Sequence, residues 1–236
     1  SVLNIKENKQ EIVSISYKLN PKLDLDNDVA GASSQKLETV TLMRPPSSST
    51  FPVHLKKLVE NKFPNNPVRL FNNEKGLLSC FAAILKKSDP DVFIGHKLET
   101  VGLDIIMNRM FDLKISNFSS IGRLNRREWP DRWLRNRNHQ FYLIRDILSG
   151  RLVCDIANEM GQSLTPKCQS WDLSEMYNIY TGSSYKPLEI NFNLVQYQED
   201  AASLVLAIEE NITNCKMVDE VANKIQILSL SKQLTN

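Results

Sequence analysis

Asn72 to His96 reads NNEKGLLSCFAAILKKSDPDVFIGH, and its two halves follow different periods. Leu77, Leu78, Phe81, Ile84 and Leu85 recur at the spacing of one helix face, with Asn72 or Asn73 placed to cap the first turn. Asp89-Pro90 stops that helix, because proline lacks an N–H and turns the residue before it away from helical backbone. Asp91 to Gly95 (DVFIG) is then almost continuously apolar, the pattern of a central strand covered on both faces. A helix feeding a buried strand is the unit of an α/β layer structure.

Outward from that unit the pattern continues. Glu11 to Leu19 reads as a strand, since Val13, Ile15 and Tyr17 alternate with Ser14, Ser16 and Lys18; Asn20-Pro21 breaks it. Asp24 to Gln35 reads as a polar loop, Leu37 to Met43 as a second alternating strand, and Arg44 to Phe51 as another loop. Downstream, Leu103, Ile106, Met107 and Met110 trace a helix, and Arg151 to Ile156 (RLVCDI) a buried-type strand. Trp171 to Tyr180 is a short helix ending at Thr181-Gly182. In the last third Leu204, Val205, Ile208 and Ile212, then Met217, Val218, Val221, Ile225 and Leu228, keep helical spacing. This order predicts one α/β domain over residues 1–236 with a mixed sheet flanked by helices.

Composition excludes more than it assigns. With 42% hydrophobic residues and a net charge of +2, the chain carries no whole-protein mark of nucleic-acid binding, so charge has to be read by position. No apolar run approaches the ~20 residues that cross a bilayer, and Ser1 to Gln10 lacks the apolar centre of a secretory signal. Cys80, Cys154, Cys168 and Cys215 form no C-x-x-C pair, and His54, His96 and His139 are scattered, so free thiols are expected and no metal site. Nucleophile elbows, phosphate-cradling glycine loops and H-E-x-x-H are absent.

Five stretches in one order carry a family resemblance: Val2 to Ile15 (VLNIKENKQEIVSI), Asp89 to His96 (DPDVFIGH), Ser120 to Leu124 (SIGRL) followed by Trp129-Pro130, Arg151 to Ile156, and Trp171 to Ser174 (WDLS). Together they resemble the exonuclease-like region of the alpha subfamily of the family B DNA polymerases. The resemblance implies a ribonuclease-H-like (3′-5′ exonuclease-like) mixed sheet. It also implies a first strand that lies upstream of Ser1, and a start of the polymerase palm near Gln233 to Asn236. Proofreading members hold two divalent cations with an Asp and a Glu on the first strand, an Asp after an Asn beyond the strand ending in Gly, and a Tyr and Asp spaced on a helix. Water attacking a phosphodiester needs one hard cation to activate it and another to stabilise the leaving oxygen, and carboxylates supply the ligands.

Carried over residue by residue, the Asn position falls on Lys97 and the next Asp position on Gly102. An ungapped count back from the C-terminus puts the Tyr position on Glu210 and the last Asp position on Asn214. A lysine opposes cation binding and a glycine has no ligand. No catalytic or metal-binding residue is therefore expected in this stretch, and no cofactor. The nearby acids Glu99, Asp104, Glu209 and Glu210 are expected to be solvent-facing, and Asp104, about 200° round a helix from Gly102, to point away from the site. The alternative is an active metal-dependent 3′-5′ exonuclease that uses a substitute carboxylate such as Glu210.

One local charge imbalance stands out. Between Arg123 and Arg151 lie eight arginines against Glu128, Asp131 and Asp146. Arg123, Arg126, Arg127, Arg132, Arg135 and Arg137 are candidates for phosphate contact, with Trp129 and Trp133 for base stacking. The competing reading is an exposed loop whose guanidinium groups are solvated or pair with carboxylates elsewhere in a larger polymerase, with the tryptophans anchoring the loop to the domain. The resemblance implies a nuclear replicative enzyme that extends RNA primers with Mg²⁺. Its partners would be template-primer DNA or RNA–DNA hybrid, the other domains of its own chain and primase subunits, with no membrane role.

Overall fold

The computed structural model describes residues 2–4, 9–21, 38–46, 50–131, 133, 141–188 and 200–235. A short antiparallel pair, β1 (Val2–Asn4) and β2 (Lys9–Glu11), opens the chain. β3 (Ser14–Lys18) and β4 (Thr39–Met43) follow where alternation placed them, antiparallel with Ser14 opposite Met43, and β5 (Val68–Leu70) adds parallel to β4. Between them α1 (Leu55–Lys62) buries Leu55 and Val59. The Asp24 to Gln35 loop reading lies outside the described residues.

The deciding stretch forms α2 (Glu74–Ser88), in which the Asn73 side chain accepts the Gly76 N–H at 2.8 Å. Asp89 ends it in left-handed backbone (φ 41°) just before Pro90. β6 (Val92–Gly95) pairs in parallel with β7 (Leu152–Asp155), from Val92 opposite Leu152 to Gly95 opposite Asp155. A π-helical turn (Leu98–Gly102) leads into α3 (Leu103–Asp112), which buries Leu103, Met107 and Met110. Then come a 3-10 turn (Phe118–Ile121), α4 (Phe141–Ile147), α5 (Glu159–Leu164) and α6 (Leu173–Thr181). Gly182 at φ 72° closes α6, a left-handed cap that glycine adopts without a Cβ clash. α7 (Ala201–Lys224) and α8 (Ile227–Thr235) complete the described chain, separated at Gln226 with φ 50°.

The strands lie between helices. Phe81 of α2 meets Tyr17 of β3 at 6.3 Å between ring centroids, while on the other face Ser14 Oγ accepts from Asn211 Nδ2 of α7 at 2.7 Å. The main core joins α2, α3, Ile12, Leu42, Phe118, Trp133 and α4. A second cluster seats α1 and β4 on the first half of α7, and a third gathers Ile156, α6, the end of α7 and α8.

The expected mixed sheet is β3-β4-β5, antiparallel and then parallel; among the described residues β6-β7 pairs apart from it, although α7 packs on β3, β4 and β6 alike. Among the described residues β3 and β6 each keep an edge with no ladder partner, so nothing joins the pieces through backbone hydrogen bonds. One sequence expectation needs correction, because Asp91 to Gly95 is not covered on both faces: Phe93 packs into the main core, but Ile94 is 37% exposed and Leu152, diagonal to it on the same face, 69%. A continuous apolar run cannot reveal that one of its two faces is bare.

One buried ion pair was not legible. Glu74 accepts from Arg109 Nε at 2.9 Å and Nη2 at 2.6 Å, and its Oε1 also takes the Ile12 N–H at 2.7 Å. Both side chains are almost fully enclosed, and together they tie α2, α3 and the link between β2 and β3.

Candidate functional site at the ends of two parallel strands

Ligands and reacting groups in parallel α/β sheets gather beyond the carboxyl ends of the strands, here Gly95 and Asp155. A Cβ on Gly95 would stand 2.8 Å from Leu98 Cβ, so glycine is what lets the following turn fold back closely. That turn is π-helical because the Val101 and Gly102 N–H groups both reach the Lys97 carbonyl, at 3.0 and 3.1 Å. Lys97 itself holds φ 49°.

Lys97 and Gly102 lie at the two ends of this turn. Lys97 Nζ donates to Asp172 Oδ1 at 2.9 Å, and His96 Nε2 donates to the Trp171 carbonyl at 2.8 Å. Lys97 holds the Asp172 carboxyl below the usual range, helped by the Ser170 hydroxyl. Gly102 has ordinary helical backbone (φ −63°), and a Cβ there would meet only the tip of Leu98, so no backbone requirement explains the missing side chain.

The surrounding acids are a correction, because Glu99 and Glu210 are buried rather than solvent-facing. Glu99 is 5% exposed, its Oε1 taking Arg145 Nε at 3.0 Å and its Oε2 taking Nη2 at 3.3 Å. Its N–H donates to Asp155 Oδ2 at 3.1 Å, while Asp155 Oδ1 accepts from Ala157 N at 3.0 Å. Sequence reasoning missed Asp155 and Arg145; the only signal was a charged residue closing an otherwise apolar strand. Glu210 on α7 is 8% exposed and accepts the Tyr185 hydroxyl at 2.5 Å. Burial, reinforced by Glu210, pushes the Tyr185 phenol up. Glu209 pairs with Lys62 at 2.6 Å; Asp104 is half-buried, and that burial raises its carboxyl. Asn214 is half-buried on α7. Among the described residues no three His, Cys, Asp or Glu side chains gather as a metal-holding group.

Cys154, between these acids and the third cluster, has its thiol pushed up to about 11 by burial, then by Asp155 and Glu99. Its pKa is raised on folding, so its contribution to stability is full below about pH 9 and is lost as pH rises towards about 11. Alkylation of Cys154 in the native protein is therefore expected to be slow at pH 8 and to rise about tenfold per pH unit up to that point, read by mass spectrometry of the labelled peptide.

Among the described residues of the arginine stretch, Arg123, Arg126 and Arg151 serve as an internal brace. Arg123 donates to Asp89 Oδ1 at 3.0 Å, Asp91 Oδ1 at 2.6 Å and the Gly150 carbonyl at 2.9 Å. Arg126 Nη2 reaches Asp146 Oδ1 at 2.8 Å. Arg151 is buried over Phe93, donating to Asp89 and to the Ile121 carbonyl, both at 2.9 Å. Arg127 is exposed, with no partner among the described residues. Trp129 stacks on Phe118 with ring centroids 4.1 Å apart, and Trp133 is 0% exposed beside it. Base stacking by Trp133 needs correction: an enclosed ring offers no face to a base. Arg132, Arg135, Arg137 and His139 lie outside the described residues.

Residues 1–176 match the pattern of DNA polymerase family B, exonuclease domain. The full length is 54% identical to the catalytic polypeptide of DNA polymerase alpha from Saccharomyces cerevisiae, covering 16% of that protein. Over 98% of the chain it is 30% identical to the Dictyostelium discoideum DNA polymerase alpha catalytic subunit, covering 14% of it. Over 99% it is 24% identical to the Mus musculus counterpart, covering 15%. The chain thus spans about a sixth of the length of these relatives.

Proposed function

The chain belongs to the exonuclease-domain family of the family B DNA polymerases, and from that premise we propose that it is a 3′-5′ exonuclease-like domain without nuclease activity, retained as a structural part of a polymerase alpha catalytic subunit. The observation that carries this reading is the state of Lys97 and Gly102. The first spends its charge on Asp172, and the second offers no ligand.

Two cations need several carboxylate oxygens turned towards one point, and the residues here do not fit such a pair. Lys97 brings positive charge, Arg145 occupies both oxygens of Glu99, and Tyr185 occupies Oε2 of Glu210. No hydrolytic step is assigned to them. The domain's work is then to shape the channel for template-primer DNA or RNA–DNA hybrid, with Arg127 placed to meet phosphate. The longer protein would extend RNA primers in the nucleus beside primase subunits, using Mg²⁺ on carboxylates outside this stretch. The ribonuclease-H-like sheet would be completed by an upstream strand that pairs with the open edges of β3 and β6.

A second reading, an active nuclease through Glu210, draws on that residue's burial and its short bond to Tyr185. The test is incubation of the full-length polypeptide with single-stranded DNA and Mg²⁺ or Mn²⁺, without nucleotides, beside Glu210→Ala. The expected result is no shortening of the strand in either protein. Metal-dependent shortening that disappears in Glu210→Ala would overturn the proposal and make Glu210 a ligand.

A further inference from the structure

Parallel strands are almost always covered on both faces, because their crossovers lay elements over each side. β6 and β7 depart from this. Phe93 and Val153 point into the main core, so Val92, Ile94, Leu152 and Cys154 share the opposite face. At its carboxyl end Cys154 packs against the third cluster, with Ile227 and Leu228 of α8. At its start Leu152, opposite the half-buried Val92, is 69% exposed, and Ile94, opposite Cys154 and diagonal to Leu152 on the same face, is 37% exposed. Asp91, 82% exposed in its side chain, borders the bare part, its carbonyl accepting the Leu152 N–H at 2.8 Å.

We propose that this open face, Val92–Ile94–Leu152, is an intramolecular docking surface, covered by apolar side chains of the segment that follows residue 236 in the longer polypeptide. The inference rests on the reading that the chain is part of a longer polymerase whose polymerising domain follows it. About five-sixths of the yeast relative lies outside the matched stretch, since the match covers 16% of it. Position selects the downstream segment. α8 starts in the cluster that already covers Cys154, and Leu152 is two residues back along β7. Its nine residues carry the chain about 12 Å, and roughly ten extended residues beyond it span ~33 Å. The bare face is within that reach whichever way α8 points, and tethering keeps the effective concentration of the occupant high.

The test uses the full-length polypeptide with a photo-crosslinking phenylalanine analogue at position 152, an exposed site that accepts a larger ring. Irradiation is followed by peptide mapping, and hydroxyl-radical footprinting of the unsubstituted protein is run in parallel against its unfolded chain. The expected result is a crosslink to residues downstream of 236, with Leu152 and Ile94 oxidised severalfold more slowly than in the unfolded chain. Oxidation of Leu152 at the unfolded rate overturns the proposal. So does a crosslink confined to an upstream segment, a second copy or another protein. A natural polypeptide that ends near residue 236 would instead sink the polymerase reading itself, and its mass distinguishes that failure from this one.

Discussion

Arg109→Met is expected to lower the unfolding free energy by about 3–5 kcal/mol, the cost of leaving one partner of a buried ion pair uncompensated. The stranded group is Glu74, 7% exposed and held by α2, with only the Ile12 N–H still donating to it. Glu74→Leu alone is expected to be damaging as well, because Arg109 would be left with Asp112 at 3.7 Å and the Ile12 amide would lose its acceptor. The informative variant is Arg109→Met with Glu74→Gln. Neither residue is then charged, and the amide oxygen still takes the Ile12 N–H. This double variant is expected to recover most of the loss, measured by denaturant unfolding at an unchanged slope. If Arg109→Met unfolds within about 0.5 kcal/mol of the parent, the pair is solvated in solution and the account of α2–α3 docking fails.

Trp133→Ala is expected to cost a similar amount, about 3–5 kcal/mol, because it empties the largest fully buried side chain of the main core. Trp129 lies 5.0 Å away and Phe111 6.4 Å, between ring centroids, and both lose a packing partner. Trp133→Phe is expected to be nearly neutral: it keeps the aromatic contact and removes an indole N–H that has no acceptor among the described residues. A base-stacking role predicts a different result, weaker binding to single-stranded DNA with unchanged melting of the protein. Melting curves and salt-dependent DNA binding on the two variants therefore separate an anchor from a contact.

Legibility followed the distance between cause and effect along the chain. α2, its Asn73 cap and its stop at Asp89-Pro90 were readable because each depends on neighbours within one or two turns. β3, β4, α3 and α6 were readable for the same reason. The burial of Glu99 depends on Arg145, 46 positions away, that of Glu210 on Tyr185, 25 away, and that of Glu74 on Arg109, 35 away. No local period encodes such pairs, and an acidic residue read alone defaults to solvent.

By itself the sequence determined that positions 97 and 102 carry a lysine and a glycine, neither of which brings a carboxylate; that cation ligands belong there is what the family resemblance implies. It also determined the α/β layering, because periods of 3.6 and 2 sort side chains onto faces before any tertiary contact forms. Only the tertiary structure decided that Glu99 is occupied by Arg145, that Trp133 is enclosed, and that the face holding Leu152 is left open. Those outcomes depend on which distant groups reach each other when the layers close. Burial and charge pairing are properties of that packed arrangement and not of any single segment.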